Sequence, residues 1–374
     1  MIVQRTPSGG VEEKSSPLME YYESSGYKSG FINGKKVIKS YNSTDVELDA
    51  LYEGVGLRDI SHQGILEIKG NDSLDFLHRI TTNSIKDLPK EGIVNTVFTS
   101  EKGHIIDFTT VINFEDYQLL VCNYENQTKV YSWIEKYIIA DDVRIADVDG
   151  KYTVLELIGP QADSFATLIC GNIVNAIKLN SFKVINADGM IFFLLKILDR
   201  NEKVRFWLIA NIENGLQLVK YMIENKGIFN FSLVGEDSYN IYRVENGIPS
   251  APGEINSDYN PHEARLLNAV DFKKGCYIGQ EVIARLDTYN KVQKYLTGVV
   301  FSETINANDK FFLFDENGND AGIVTSTCYS LKLKNYIGLG YIKRDYMEEG
   351  TNLIAKNEAG NSVGISVKTL PFRR

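Results

Sequence analysis

Residues 274–281 read Lys-Gly-Cys-Tyr-Ile-Gly-Gln-Glu, placing a cation, a thiol, two glycines, an amide and a carboxylate in eight positions. The run that follows, Glu281-Val282-Ile283-Ala284-Arg285-Leu286, has apolar residues at 282, 283 and 286, the spacing of a short amphipathic helix. Gly279 then serves as the entry to that helix, and Cys276 lies just outside its N-terminus. A cysteine near Lys274 and a helix dipole is expected to have a lowered pKa. One reading is a reactive or ligand-contacting thiol on a loop flanked by Gly275 and Gly279. The other is a small buried hydrophobe, the commoner state of a free cysteine. No base or metal partner stands close enough in sequence to decide between them.

The chain of 374 residues has room for two or three domains at roughly 100–200 residues each. Its 43% hydrophobic and 24% charged content is that of a globular protein. A net charge of -9 argues against a general nucleic-acid or anionic-membrane binder, which would need clustered Lys and Arg. Lys291, Lys294 and the Arg373-Arg374 end are the only local basic hints, although an anionic small molecule needs just one or two cations. The cysteines (122, 170, 276, 328) and histidines (62, 78, 104, 262) are scattered, with no metal-ligand spacing, so no metal site is expected and a reducing compartment is. The first ten residues lack the apolar core of a secretory signal, and Glu12 and Glu13 weigh against a mitochondrial leader. The longest apolar stretches, such as 190–198, are too short to span a membrane. A cytoplasmic address is expected.

Residues 1–16, polar and rich in Gly and Ser, read as a mobile lead-in. The spacing predicts a helix over 45–57 ending in glycine, a strand over 64–70 and a helix over 72–80. Strands are expected at 94–100 and 105–112, joined by a hairpin at Glu101-Lys102-Gly103, and at 117–123, before a helix through Trp133 to Tyr137. A strand at 152–157, a helix opened by Gly159-Pro160-Gln161-Ala162, strands near 190–197 and 204–210, and a helix over 214–226 follow. The class is α+β with antiparallel pairs, lacking any Rossmann, Walker A or nucleophile-elbow sequence. From about 291 short strands alternate with turns (297–302, 311–314, 322–326, 337–341, 352–356, 362–367), the pattern of a small β-barrel or sandwich. The domain limits are 1–44 for an N-terminal extension, 45–290 for the α+β part and 291–374 for the β domain.

Other residues could carry chemistry. Arg243 and Glu245 are two apart and do not share a helix face, so they are either solvent charges near a helix end at Gly247 or pocket residues beside the 274–281 loop. Asp107 is a lone acid in the apolar run Ile105-Ile106-Asp107-Phe108, a position that alternation more often turns to solvent. Arg58-Asp59-Ile60-Ser61-His62 reads as a structural turn rather than a catalytic triad.

With these residues in hand, the chain resembles the YgfZ family of folate-binding proteins, whose signature is Lys-Gly-Cys-[Tyr/Phe]-x-Gly-Gln-Glu and whose fold is that of the glycine-cleavage T-protein (aminomethyltransferase). The match is complete over Lys274–Glu281 and continues through Ala284-Arg285 to Lys291. Gly56-Leu-Arg-Asp-Ile-Ser-His-Gln-Gly64 resembles the T-protein stretch Gly-Leu-Phe-Asp-Val-Ser-His-Met-Gly. Thr81-Thr82-Asn83, Gly159-Pro160-Gln161-Ala162, Arg243-Val-Glu245-Asn-Gly247 and Ile337-Gly-Leu-Gly-Tyr341 resemble further T-protein landmarks.

The resemblance implies a three-part disc of two α+β units and a C-terminal β-barrel around an opening that binds tetrahydrofolate or a related reduced folate. It implies a role in iron–sulfur enzyme assembly or repair that needs Cys276, with iron–sulfur assembly factors or client enzymes as partners. On this basis Cys276 and Lys274 are the candidate catalytic residues, the lysine favouring the thiolate. Asp107, Trp207, Arg243, Glu245 and Tyr277 are the candidate folate contacts. Gly275, Gly279, Gln280, Glu281 and Arg285 would anchor the loop, the last two as an i,i+4 pair that is equally compatible with a purely structural role. There are two departures. T-proteins carry Gly-Gly-x-x-Asp-Asp where this chain has Gly103-His104-Ile-Ile-Asp107-Phe108, and Trp207 stands where their Gly-Tyr-Glu segment grips the pterin. Tryptophan cannot accept the pterin N–H donors, although it can stack on the ring. The leading function is a folate-binding accessory protein. The alternative is a folate-dependent aminomethyl or one-carbon transferase.

Overall fold

A computed structural model describes residues 15–199, 203–289, 291–307 and 309–372. All of the expected lead-in except Ser15 and Ser16 lies outside them. A five-stranded sheet runs in the order Ile93–Thr99, Ile105–Asn113, Gln118–Cys122, Gly64–Lys69, Arg144–Asp147. Its first pair closes through the predicted hairpin, where Gly103 takes φ +72 and donates its N–H to the Ser100 carbonyl at 2.9 Å. The helices Ser73–Ile80 and Tyr124–Tyr137 cover one face of this sheet, burying Phe76 with Ile80 and Val130 with Ile134 at one-turn spacing.

A six-stranded sheet has the order Ser181–Ala187, Met190–Leu198, Val204–Asn211, Tyr152–Ile158, Val55–Asp59, Phe231–Leu233, the last pair parallel. Its outer face carries the helices Ala162–Cys170 and Ile212–Glu224 through Phe165, Ile169, Leu218 and Met222. The inner faces of the two sheets pack on each other, with Ile65, Ile112 and Leu119 of one against Val154, Leu195 and Ile209 of the other. The fold is therefore two sheets back to back with helices outside.

Two features differ from the sequence expectations. The helix expected over 45–57 is Thr44–Glu53, and the chain turns at Gly54 into the strand Val55–Asp59. A Cβ on Gly54 would sit 2.0 Å from the Asn230 carbonyl, which shows how closely that strand's parallel neighbour approaches. The segment before residue 44 carried no clear signal, yet it forms the short helix Met19–Ser24 and the hairpin Lys28–Ile32/Lys35–Ser40. Leu18, Met19, Tyr22 and Ile38 from it are buried in the core of the second unit.

The third part is a closed six-stranded barrel in the order Lys294–Phe301, Asn335–Lys343, Asp320–Ser330, Phe311–Phe314, Asn352–Asn357, Ser362–Lys368. All six strands fall where the turn spacing puts them. The barrel joins the first unit through a shared apolar cluster that includes Val97, Ile105, Val244, Ala264, Leu296 and Tyr341. In it Tyr341 stacks on Tyr259 at 3.4 Å and its hydroxyl donates to the Glu254 carbonyl at 2.7 Å. Tyr341→Phe leaves that carbonyl unsatisfied in a buried place and is expected to lower stability by about 1–3 kcal/mol, read from the urea midpoint at unchanged m-value.

Candidate functional site

Where the two α+β units, the helix Glu236–Glu245 and the barrel meet, a cavity of about 520 Å³ opens. That lies within the roughly 300–1,000 Å³ typical of small-molecule sites. One side of it is a buried ion network. Arg58 makes a two-pronged contact with Glu236, both distances 2.8 Å, and approaches Glu156 at 3.5 Å. Arg205 donates to Glu156 at 2.9 Å and to Asp199 at 2.9 Å. The Tyr239 ring lies 3.5 Å from the Arg58 guanidinium carbon, a cation–π contact. Burial opposes the charge on Arg58, but Glu236, Tyr239 and Glu156 outweigh it and hold the guanidinium above its ordinary pKa. Burial likewise opposes ionisation of Glu236, and Arg58 overcomes it, so that pKa falls. Every charge in the network therefore has an opposite partner, the condition under which buried ions are tolerated.

Trp207 lines the cavity, and across the antiparallel ladder it faces Glu156. Its indole N–H donates to Glu156 Oε1 at 3.2 Å. Arg243 also lines the cavity, with its guanidinium held by Asn240 (2.9 Å), Ser326 of the barrel (2.8 Å) and the fully buried Glu254 (3.2 Å).

The other three expected folate contacts do not line the cavity. Asp107 is completely buried and accepts hydrogen bonds from the Asn123 amide N–H (2.9 Å), the Asn123 side chain (2.7 Å) and Asn126 (3.0 Å). Strand alternation turns it inward beneath the helix Tyr124–Tyr137, and Phe108 is the neighbour that lines the cavity. Glu245, two residues beyond Arg243, is on the far side of its helix, where Tyr52 and Ser330 donate to its two oxygens. Tyr277 packs against Val270 and Ile283 in a separate small cluster.

The signature loop lies on the first unit, and its residues are not among those lining the cavity. Cys276 is exposed, so the reading of it as a buried hydrophobe fails. Lys274 is buried, and its ammonium donates to the carbonyls of His78, Thr81 (2.7 Å) and Asn83 (2.7 Å). Burial draws its pKa down to about 7. The helix Gln280–Tyr289 begins after Gly279 as the spacing predicts. Gly279 has φ +85, and a Cβ there would meet the Ser100 carbonyl at 2.6 Å, so this glycine docks the loop on the 100–103 turn. Gln280 donates its backbone N–H to the Tyr277 carbonyl at 3.2 Å. Gly275 has nothing within 4 Å of a Cβ position. Glu281 and Arg285 are both exposed and form no ion pair with each other among the described residues. An exposed i,i+4 pair is worth only about 0.3–0.5 kcal/mol, too little to fix two long side chains.

Arg58, assigned above to a structural turn, is instead a strand residue of the cavity wall. Glu156, Arg205, Tyr239 and Asn123 were missed. Glu156 did carry a signal, as the single acid in the apolar strand Tyr152–Ile158.

Sequence comparison matches residues 18–274 to the GCVT N-terminal domain and residues 294–373 to the glycine cleavage T-protein C-terminal barrel domain. The chain belongs to the glycine cleavage T-protein family. An aminomethyltransferase of Geobacillus sp. (strain WCH70) is 28% identical over 346 residues, covering 91% of this chain and 93% of that protein. A chloroplastic protein of Arabidopsis thaliana named as a transferase is 25% identical over 356 residues, covering 94% of this chain and 79% of its own length. The crystal structure of the glycine cleavage system aminomethyltransferase T from Bartonella henselae shares the fold, with a TM-score of 0.83 at 22% identity over 96% of this chain and 98% of that one.

This T-protein family member has no helix among its described residues long and apolar enough to cross a membrane. Two outcomes follow from the site. Gly279→Ala forces a left-handed backbone and a clash on one residue, and is expected to cost about 1–3 kcal/mol by chemical denaturation. His62, also in the cavity wall, is half-buried, and desolvation lowers its pKa from 6.5 while Glu236 opposes this and Arg58 and Lys35 add to it. The unfolded chain therefore binds a proton at that ring before the folded one does. Its contribution is complete above about pH 6.5 and is lost as the pH falls through and below that value. Melting temperatures of His62→Gln between pH 7 and 5 should fall less steeply than those of the native chain.

Proposed function

We propose that this chain binds tetrahydrofolate or a related reduced folate in the central cavity and serves, in the cytoplasm, as a YgfZ-type accessory protein for assembly or repair of iron–sulfur enzymes, with Cys276 as its working thiol. The observation that carries the reading is the cavity wall at residue 108. Where T-proteins place the second acid of their Asp-Asp pair, this chain presents the apolar Phe108, and the remaining acid, Asp107, is turned away and saturated by Asn123 and Asn126. A bound tetrahydrofolate would supply a secondary amine able to carry a one-carbon unit. No carboxylate at 108 is there to exchange a proton with that amine. Folate binding is kept, and aminomethyl transfer is lost.

The cavity suits such a ligand. The pterin ring needs apolar faces and an acceptor for its N–H donors. Trp207, Phe108 and Tyr239 offer the faces, and Glu156 offers the acceptor one strand over from Trp207. Among the described residues its Oε2 accepts from Arg58 alone, at 3.5 Å, so this oxygen has lone-pair capacity left. Lys35 and Lys39, from the N-terminal hairpin, and Arg243 line the same cavity and supply positive charge for the carboxylates of the folate tail. The cluster, as cargo, would be handled outside the cavity at Cys276, the exposed cysteine of the four. Assembly factors or client enzymes would be the partners there, with no part for nucleic acid or a membrane surface.

Calorimetric titration with tetrahydrofolate should show saturable uptake. Incubation with folate and an aminomethyl donor should yield no methylenetetrahydrofolate under conditions where an authentic T-protein forms it. Product formation would instead establish the transferase alternative, which the relatives named aminomethyltransferase favour. Absence of uptake would leave a folate-free scaffold. Cys276→Ala is expected to keep the fold and folate uptake and to abolish restoration of a cluster-dependent enzyme in cells lacking the native protein. Full rescue by that variant would remove the thiol from the account.

A further inference from the structure

The exposed tip of the signature loop is only two residues long. Gly275 and Cys276 stand between the buried Lys274 and the buried Tyr277. Gly275 makes no close approach that would hold it, so the direction of the thiol is set by its two anchors. Tyr277 is an ordinary apolar anchor on Val270 and Ile283. Lys274 is not, because its ammonium is aimed at the carbonyl oxygens of His78, Thr81 and Asn83. The helix Ser73–Ile80 ends there, so the His78 carbonyl carries the negative end of its dipole. An ammonium has three donors, and all three are used. A lysine acting chiefly to favour the thiolate would keep a donor for sulfur.

The segment that receives Lys274 is also a support of the cavity wall. The Asn83 side chain donates to the Asn95 carbonyl at 2.9 Å, and its backbone N–H donates to Thr96 Oγ1 at 3.0 Å. Asn95 lines the cavity and ties two further wall residues, accepting from Thr110 at 2.8 Å and donating to the Leu198 carbonyl at 3.2 Å. The same segment meets the loop's approach at two more points. Thr82 Oγ1 donates to the Ala269 carbonyl at 2.7 Å, and the Asp271 N–H donates to the Thr82 carbonyl at 3.0 Å. A hydrogen-bonded path of three residues, Lys274, Asn83 and Asn95, thus runs from the base of the tip to the cavity wall.

We infer that Lys274 is a positioning residue that clamps the Gly275–Cys276 tip to residues 78–83 and, through Asn83 and Asn95, ties the exposure of the thiol to occupancy of the cavity. This rests on the reading that the cavity takes a reduced folate and that Cys276 is the working thiol. The coupling is reciprocal: whatever factor the ligand exerts on the thiol's equilibrium exposure, fixing the tip exerts on the ligand's affinity.

The test measures the rate at which iodoacetamide alkylates Cys276 in the full chain, by peptide mass spectrometry, with the half-buried Cys170 as internal reference. The variants are Lys274→Met, Lys274→Arg and Asn83→Ala. Without ligand, Lys274→Met should raise the rate about threefold or more by freeing the tip, and Lys274→Arg, which can still donate to carbonyls, should return it to within about twofold of native. Saturating tetrahydrofolate should change the native rate about threefold or more and leave Asn83→Ala unmoved. A native rate in Lys274→Met, or a native response to ligand in Asn83→Ala, overturns the clamp. Asn83→Ala keeps its backbone carbonyl for Lys274 and so decides the matter if Lys274→Met fails to fold. If calorimetry shows no folate uptake, the folate reading falls, and comparison of Lys274→Met with Lys274→Arg still decides whether Lys274 positions the tip.

Discussion

The structure depends on a carboxylate that cannot be left alone. Glu156 sits in the middle of a sheet with 4% of its surface exposed, and Arg58 and Arg205 approach it from the two neighbouring strands. Breaking a buried pair by removing one of its partners typically costs about 3–5 kcal/mol. The network therefore constrains three adjacent strands and, through Glu236, the helix that carries Arg243. The cavity lies where these elements converge, so its polar surface is a consequence of how the second unit is held together. A site built on strands and a helix in this way is positioned more accurately than one built on loops.

Two kinds of chemistry are thereby kept apart. The cavity has acceptors, aromatic faces and cations, and its wall at 107–108 presents the apolar Phe108 while Asp107 is buried away from it. The thiol stands outside on a two-residue tip whose anchors are a buried tyrosine and a lysine held by three carbonyls. On the proposed reading, the apolar residue at 108 and the intact signature at 274–281 would leave the fold as a ligand-responsive platform with its working group at the rim.

Much of this could be read from residue order. Period-two patterning and turn residues located all six barrel strands, and the helical spacing after Gly279 located the signature helix. Trp207 and Arg243 line the cavity, without the 274–281 loop beside them. The failures have physical reasons. Asp107 looked like the pocket acid because a lone carboxylate in an apolar strand is conspicuous, but alternation gave the cavity face to Phe108. Glu156 had the same signature and was passed over, since its arginine partners lie 98 and 49 residues away in sequence and no local pattern links them. Glu245 shared a helix with Arg243 but not a face. The N-terminal hairpin that brings Lys35 and Lys39 to the cavity was illegible because a two-stranded ribbon has little periodicity and gains its stability from the core it lies on.

The central claim is that a pterin-bearing ligand occupies this cavity with Glu156 as acceptor for its ring donors. The most direct measurement is calorimetric titration of tetrahydrofolate into the native chain beside Glu156→Gln, which keeps the size of the side chain but replaces half of the carboxylate's acceptor capacity with donors and removes its charge. The account predicts saturable binding to the native chain and a loss of about tenfold or more in affinity for the variant, with its melting curve still cooperative. Equal affinity in the two proteins would contradict it.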